Sequence, residues 1–128
     1  MLFQQPERAK RIKRNFITRI RRYQNNMDQK DASKWNIVIT QNLSSTGILF
    51  NYNQKIPINT VLEFIISLPF NNNVHCLGVV RRIEGPPSTK KTKKFNIYRI
   101  AAYFIKLDIH IKESIDNFAE EIESELSQ

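Results

Sequence analysis

From residue 35 to residue 107 apolar side chains recur at every second position in short runs, and this period most constrains the fold. Period two puts successive side chains on opposite faces of an extended chain, so these runs read as β-strands. In 35–41, Trp35, Ile37 and Ile39 alternate with Asn36, Val38 and Thr40. In 47–52, Ile48, Phe50 and Tyr52 alternate with Leu49 and Asn51. In 60–68, Leu62, Phe64, Ile66 and Leu68 share one face, while Glu63 and Ser67 take the other. Pro69-Phe70-Asn71-Asn72-Asn73 reads as a turn, and 74–84 continues with Val74, Leu77, Val79, Val80 and Ile83. Gly85-Pro86-Pro87-Ser88 breaks that run, and 96–107 is the last strand. Residues 20–23 are a candidate first strand. Five or six strands joined by short turns suggest an antiparallel barrel or sandwich, because closure removes exposed edges.

The period changes at the end of the chain. Ile111, Ile115, Phe118, Ala119, Ile122 and Leu126 recur at spacings of three and four, which predicts an amphipathic helix over about 109–126. Asp108 stands where an N-cap belongs. The acidic residues fall on the outer helical face and read as solvated surface.

Charge is uneven along the chain. The net formal charge is +8. Arg8, Lys10, Arg11, Lys13, Arg14, Arg19, Arg21 and Arg22 crowd the beginning, and Lys90, Lys91, Lys93 and Lys94 form a second cluster. Residues 1–14 are expected as a flexible basic arm, and 15–128 as a single barrel domain carrying the helix. A basic arm on a neutral body implies an anionic partner. The apolar runs are too short for a bilayer span, which takes about 20 residues, so no membrane insertion is expected. The first residues lack the apolar centre of a signal peptide, and Cys76 is the single cysteine, which suits a reducing cytoplasm.

Catalytic chemistry is poorly represented. His75 and His110 are the only histidines, and neither has metal-ligand spacing. His75 beside Cys76 reads as structural, not as a nucleophile pair. Three glycines leave no room for a nucleotide-binding glycine fingerprint. No enzyme, no catalytic residue, no metal and no cofactor are expected.

One polar turn remains to be explained: Asn42-Leu43-Ser44-Ser45-Thr46-Gly47, between two apolar runs. Its Asn and Ser side chains can bond nearby backbone groups, and Gly47 suits a tight turn or a close approach. A plain strand connection accounts for it. So does a ligand-facing turn with Asn42 and Ser44 as polar contacts.

With the basic arm, this stretch resembles the PilZ domain, the bacterial receptor module for cyclic di-GMP. That family pairs an N-terminal RxxxR element with a later [D/N]xSxxG motif, and Asn42-Leu43-Ser44-Ser45-Thr46-Gly47 fits the second fully. Gly78-Val79-Val80-Arg81-Arg82-Ile83 resembles the later G-x-V-x-R strand. Residues 98–107, from Tyr98-Arg99-Ile100 to Lys106-Leu107, resemble a last strand that commonly reads YRIGVxFxxL, with Ala101 where Gly is usual. The resemblance spans roughly residues 8–126. It implies a mainly β fold, a six-stranded antiparallel β-barrel with a C-terminal amphipathic helix and a mobile basic arm.

The arm departs from the motif, since no two of its arginines stand four apart. Lys10 and Arg14 give KxxxR; Arg11 with Arg14, or Arg14 with Arg19, are alternative registers. Residues four apart in an extended chain lie roughly 13 Å from each other, so two cations can hold a dinucleotide from both sides. Lysine supplies charge without the planar fork of arginine. The resemblance implies that Arg14, with Arg11 or Lys10, contacts phosphates and guanine edges, that Asn42 and Ser44 hydrogen-bond the ligand, and that Gly47 permits close approach. It implies a non-enzymatic cyclic di-GMP receptor whose arm orders on binding and changes contact with a downstream effector protein. Motility, polysaccharide export and virulence regulation fall within the family's range. Two readings stay open beside it: an adapter of the same fold that does not bind cyclic di-GMP, and a small nucleic-acid-binding barrel, which the acidic helix disfavours.

Overall fold

The computed structural model describes residues 10–23, 34–85 and 97–126. The polar loop at 25–31, the lysine cluster at 90–94 and residues 1–9 lie outside the described residues. Among the described residues there are six strands: β1 (Phe16–Arg22), β2 (Asn36–Leu43), β3 (Gly47–Tyr52), β4 (Val61–Leu68), β5 (Asn71–Glu84) and β6 (Tyr98–Lys106). One helix, α1 (Ile109–Leu126), follows. The strands close an antiparallel barrel in the order β1-β2-β3-β6-β5-β4, which is the architecture implied by the resemblance to PilZ domains.

Alternation fills the interior. Leu62, Phe64, Ile66 and Leu68 of β4 are buried, as are Ile48 and Phe50 of β3. Phe64 sits centrally, edge-on to Phe50 at 6.0 Å and to Phe104 at 6.2 Å. Edge-to-face geometry suits the ring quadrupoles. β1 adds Phe16, Thr18 and Ile20, and it begins earlier than the 20–23 expected from the sequence. Ile56, buried in the β3–β4 connection, joins the same core. In that connection Asn59 takes a left-handed φ of 76°, and its N–H donates to the Val80 carbonyl at 2.8 Å. Asn tolerates that region better than most residues.

β2 reverses the phase suggested by its isoleucines. Val38 and Thr40 face the core, while Ile37 is 70% and Ile39 45% exposed. The buried Thr40 hydroxyl bonds the Thr18 hydroxyl at 2.7 Å, so neither polar group is left unsatisfied. The expected turn over 69–73 is also shorter. Only Pro69 and Phe70 turn, because Leu68 pairs with Asn71 and β5 starts there. The Asn71 side-chain oxygen accepts the Asn73 N–H at 3.0 Å, which lets an asparagine run enter a strand.

The helix is capped as expected. Asp108 Oδ1 accepts the N–H groups of His110 at 2.8 Å and Ile111 at 3.4 Å. Ile115 and Ala119 bury against the barrel core, and Phe118 meets Phe70 with ring centroids 6.0 Å apart. Because β6 ends beside the start of β3 and the first half of β5, α1 follows at the barrel end that also holds the 44–46 and 69–70 turns.

Gly78 lies where β4, β5 and β6 crowd together. A Cβ there would stand 2.9 Å from Phe64 Cε2 and 3.1 Å from the Tyr103 carbonyl. Phe64 is fully buried and has no room to swing aside. Gly78→Ala is expected to destabilise the barrel by about 1–3 kcal/mol, read as a lower urea midpoint at unchanged slope.

Candidate functional site

The 42–47 turn is held largely by its own atoms. Ser44 is buried, and its Oγ accepts the N–H groups of Thr46 and Gly47, each at 3.2 Å. The same Oγ shares a hydrogen bond with Thr46 Oγ1 at 3.0 Å, and the Ser44 N–H donates to the Gly47 carbonyl at 3.0 Å. Ser44 therefore shapes the turn. Asn42, the penultimate residue of β2, lies beside a bulge at Gln41, where the β2–β3 register shifts, and it is half-buried. A bulge re-aims the residues next to it.

Gly47 is required by contact, not by backbone angle. No described glycine has a positive φ. A Cβ on Gly47 would stand 2.6 Å from the Ala102 carbonyl of β6. The glycine thus lets β6 approach the turn, and the Phe104 N–H donates to the Thr46 carbonyl at 2.9 Å.

The arm reaches the same turn. Ile12 is fully buried in the core, and its backbone pairs with Leu43: Ile12 N–H to Leu43 O at 2.6 Å, and Leu43 N–H to Ile12 O at 3.0 Å. The arm expected over 1–14 is therefore anchored at Ile12, one residue from the middle of the motif. Between the Ile12–Leu43 and Phe16–Thr40 pairs, residues 13–15 face Gln41 and Asn42. Arg14 is brought alongside Asn42 in this way, and Arg11 and Arg14 are both exposed. Lys10 goes elsewhere: its Nζ lies 3.0 Å from Glu123 and 3.9 Å from Glu120 on α1. The structure thus gathers Arg11, Arg14, Asn42, Ser44 and Gly47 at one barrel end, while Lys10 leans toward the helix.

A second polar cluster sits on the outer wall. Glu63 of β4 receives Arg21 Nε of β1 at 2.7 Å and also meets His75 Nε2 of β5. The Arg21 guanidinium lies 4.1 Å over the Trp35 ring. Trp35 is a half-buried platform for that arginine. Burial raises the Glu63 carboxyl, but hydrogen bonds from Arg21 and His75, with their charges, outweigh it and hold it below its ordinary 4.5. The cluster was legible in part, since Glu63 is the one carboxylate in the first four strands.

His75 and Cys76 point to opposite faces of β5. Cys76 is buried, and burial pushes its thiol up to about 12, so the two form no nucleophile pair. Among the described residues no group of three or more His, Cys, Asp or Glu is placed to hold a metal. No described helix is long and apolar enough to cross a membrane.

No family model matches the chain, and no curated protein matches it. Solved structures do. The Bacillus subtilis inhibitor of motility MotI/DgrA aligns over 98% of this chain and 54% of its own, at 16% identity and a TM-score of 0.71. The K. pneumonia MrkH–c-di-GMP complex aligns over 97% of this chain and 55% of its own, at 12% identity and a TM-score of 0.64. MrkH, described as a c-di-GMP-dependent transcription regulatory factor, aligns again over 92% of this chain and 51% of its own, at 12% identity and a TM-score of 0.64. The chain shares their fold and spans about half the length of these proteins.

Two outcomes follow from the site. Ser44→Ala removes the acceptor that holds the turn, and a loss of about 1–2 kcal/mol is expected by urea unfolding. The folded Glu63 carboxylate keeps its charge to lower pH than the unfolded one, so its cluster stabilises the fold above about pH 4.5. That contribution is lost as pH falls through the lower folded value. Glu63→Gln should be less stable than wild type at neutral pH, with the gap closing on acidification below pH 4.5. Parallel melts across pH measure it.

Proposed function

We propose that this chain is a cyclic di-GMP receptor module of the PilZ kind, acting without catalysis. The observation that carries the reading is the Ile12–Leu43 backbone pair, which sets Arg11 and Arg14 beside the Asn42–Gly47 turn. A cyclic dinucleotide has two phosphates and two guanines. Arginine forks match phosphate oxygens and the N7/O6 edge of guanine, and their planes stack on bases. The Asn42 amide adds a donor and an acceptor at the turn. The fold shared with MrkH, which has been solved with c-di-GMP, supports the same ligand class.

In this reading Arg11 and Arg14 are the cationic pair. They stand three apart, with Ile12 between them turned into the core. Lys10 is spent on Glu123 and Glu120 and contributes less. Ligand binding tightens an arm that is already seated, and a partner protein reads the changed surface. The switch is a local ordering of residues near the turn.

Isothermal calorimetry with cyclic di-GMP tests this. Saturable binding is expected. Arg14→Ala should weaken it about tenfold or more, as loss of a charge-assisted hydrogen bond costs about 1.5–3 kcal/mol. Lys10→Ala should weaken it less than Arg14→Ala does. A folded protein that gives no binding signal at high micromolar ligand would overturn the proposal.

A further inference from the structure

We propose that Tyr103 is an aromatic platform on which one purine of the ligand stacks, opposite the arginines of the arm. The inference rests on the cyclic di-GMP reading above and adds a residue that the [D/N]xSxxG and arginine motifs do not contain. Tyr103 stands directly across from Gly47 in the β3–β6 ladder. Its side chain is 60% exposed, and its Cδ1 lies 3.5 Å from where a Gly47 Cβ would be. Gly47 thus interposes nothing between the ring and the polar turn. The next outward pair along the same ladder is Leu49 and Ala101, a half-buried apolar floor.

The topology sets Tyr103 and the arginines on opposite flanks of the turn. The arm runs beside β2, and β3 and β6 follow in order. Adjacent strands lie about 4.8 Å apart, so arm and β6 are separated by roughly 14 Å. A ligand over the turn meets cations on one flank and a ring on the other. Phosphates suit the first and a base suits the second. The ring's backbone is fixed there, since the adjacent Phe104 N–H bonds the Thr46 carbonyl at 2.9 Å. A tyrosine loses little entropy on being held, and an aromatic ring stacks on any base face.

The competing role is structural: an aromatic side chain can shield a glycine in a neighbouring strand. Calorimetry with cyclic di-GMP and thermal melts without ligand separate the two. Tyr103→Ala is expected to weaken binding about tenfold, in the range for removal of one stacking ring. Tyr103→Phe and Tyr103→Trp keep a ring and should restore most of the affinity. The new indole of Tyr103→Trp should lose fluorescence on ligand addition, to an extent that Trp35 of the wild type does not. Wild-type affinity in Tyr103→Ala, with or without a lowered melting temperature, would overturn the platform and leave the receptor reading intact. Absence of binding by wild type itself would overturn both.

Discussion

Barrel closure by β1 is the constraint from which the site follows. β1 bonds β2 on one side and β4 on the other, so every strand has two neighbours and no edge is left open. Because β1 is antiparallel to β2, the chain that precedes β1 must emerge where β2 ends. That is the end with the 44–46 turn. Arg11 and Arg14, which precede β1, are therefore delivered to the polar turn by strand direction, and the burial of Ile12 fixes the chain there.

The division of labour within the turn is also physical. Ser44 spends its hydroxyl on two backbone N–H groups and on Thr46, so its first duty is shape. Gly47 gives up a side chain so that the Ala102 carbonyl can come close. Asn42 is left to present a polar group at the bulge. One short motif thus combines residues that build a surface with a residue that faces outward from it.

Much of the fold was legible because period two is unambiguous where one face is uniformly apolar, as in β4. It misled in β2, where Ile37 and Ile39 are more hydrophobic than Val38 and Thr40 yet face outward. The phase there is set by Thr18, whose hydroxyl gives Thr40 a partner inside the barrel, and that contact joins residues far apart in sequence. The asparagine run at 71–73 was misleading for a related reason, since a side-chain bond from Asn71 satisfies the backbone of Asn73 at the strand entry. At the site, the motif at 42–47 was visible in sequence, while the destination of Lys10 was not. Its pairing with Glu123 depends on where α1 packs, and no local spacing encodes that.

Cys76 gives the molecule an internal gauge of its own integrity. The thiol is 3% exposed, walled in by the barrel core, and its raised ionisation leaves almost no thiolate near neutral pH. A thiol reagent can meet it only when strands separate around it. The rate of Cys76 modification therefore follows barrel opening. With a single cysteine in the chain, that clock carries one signal and needs no added probe.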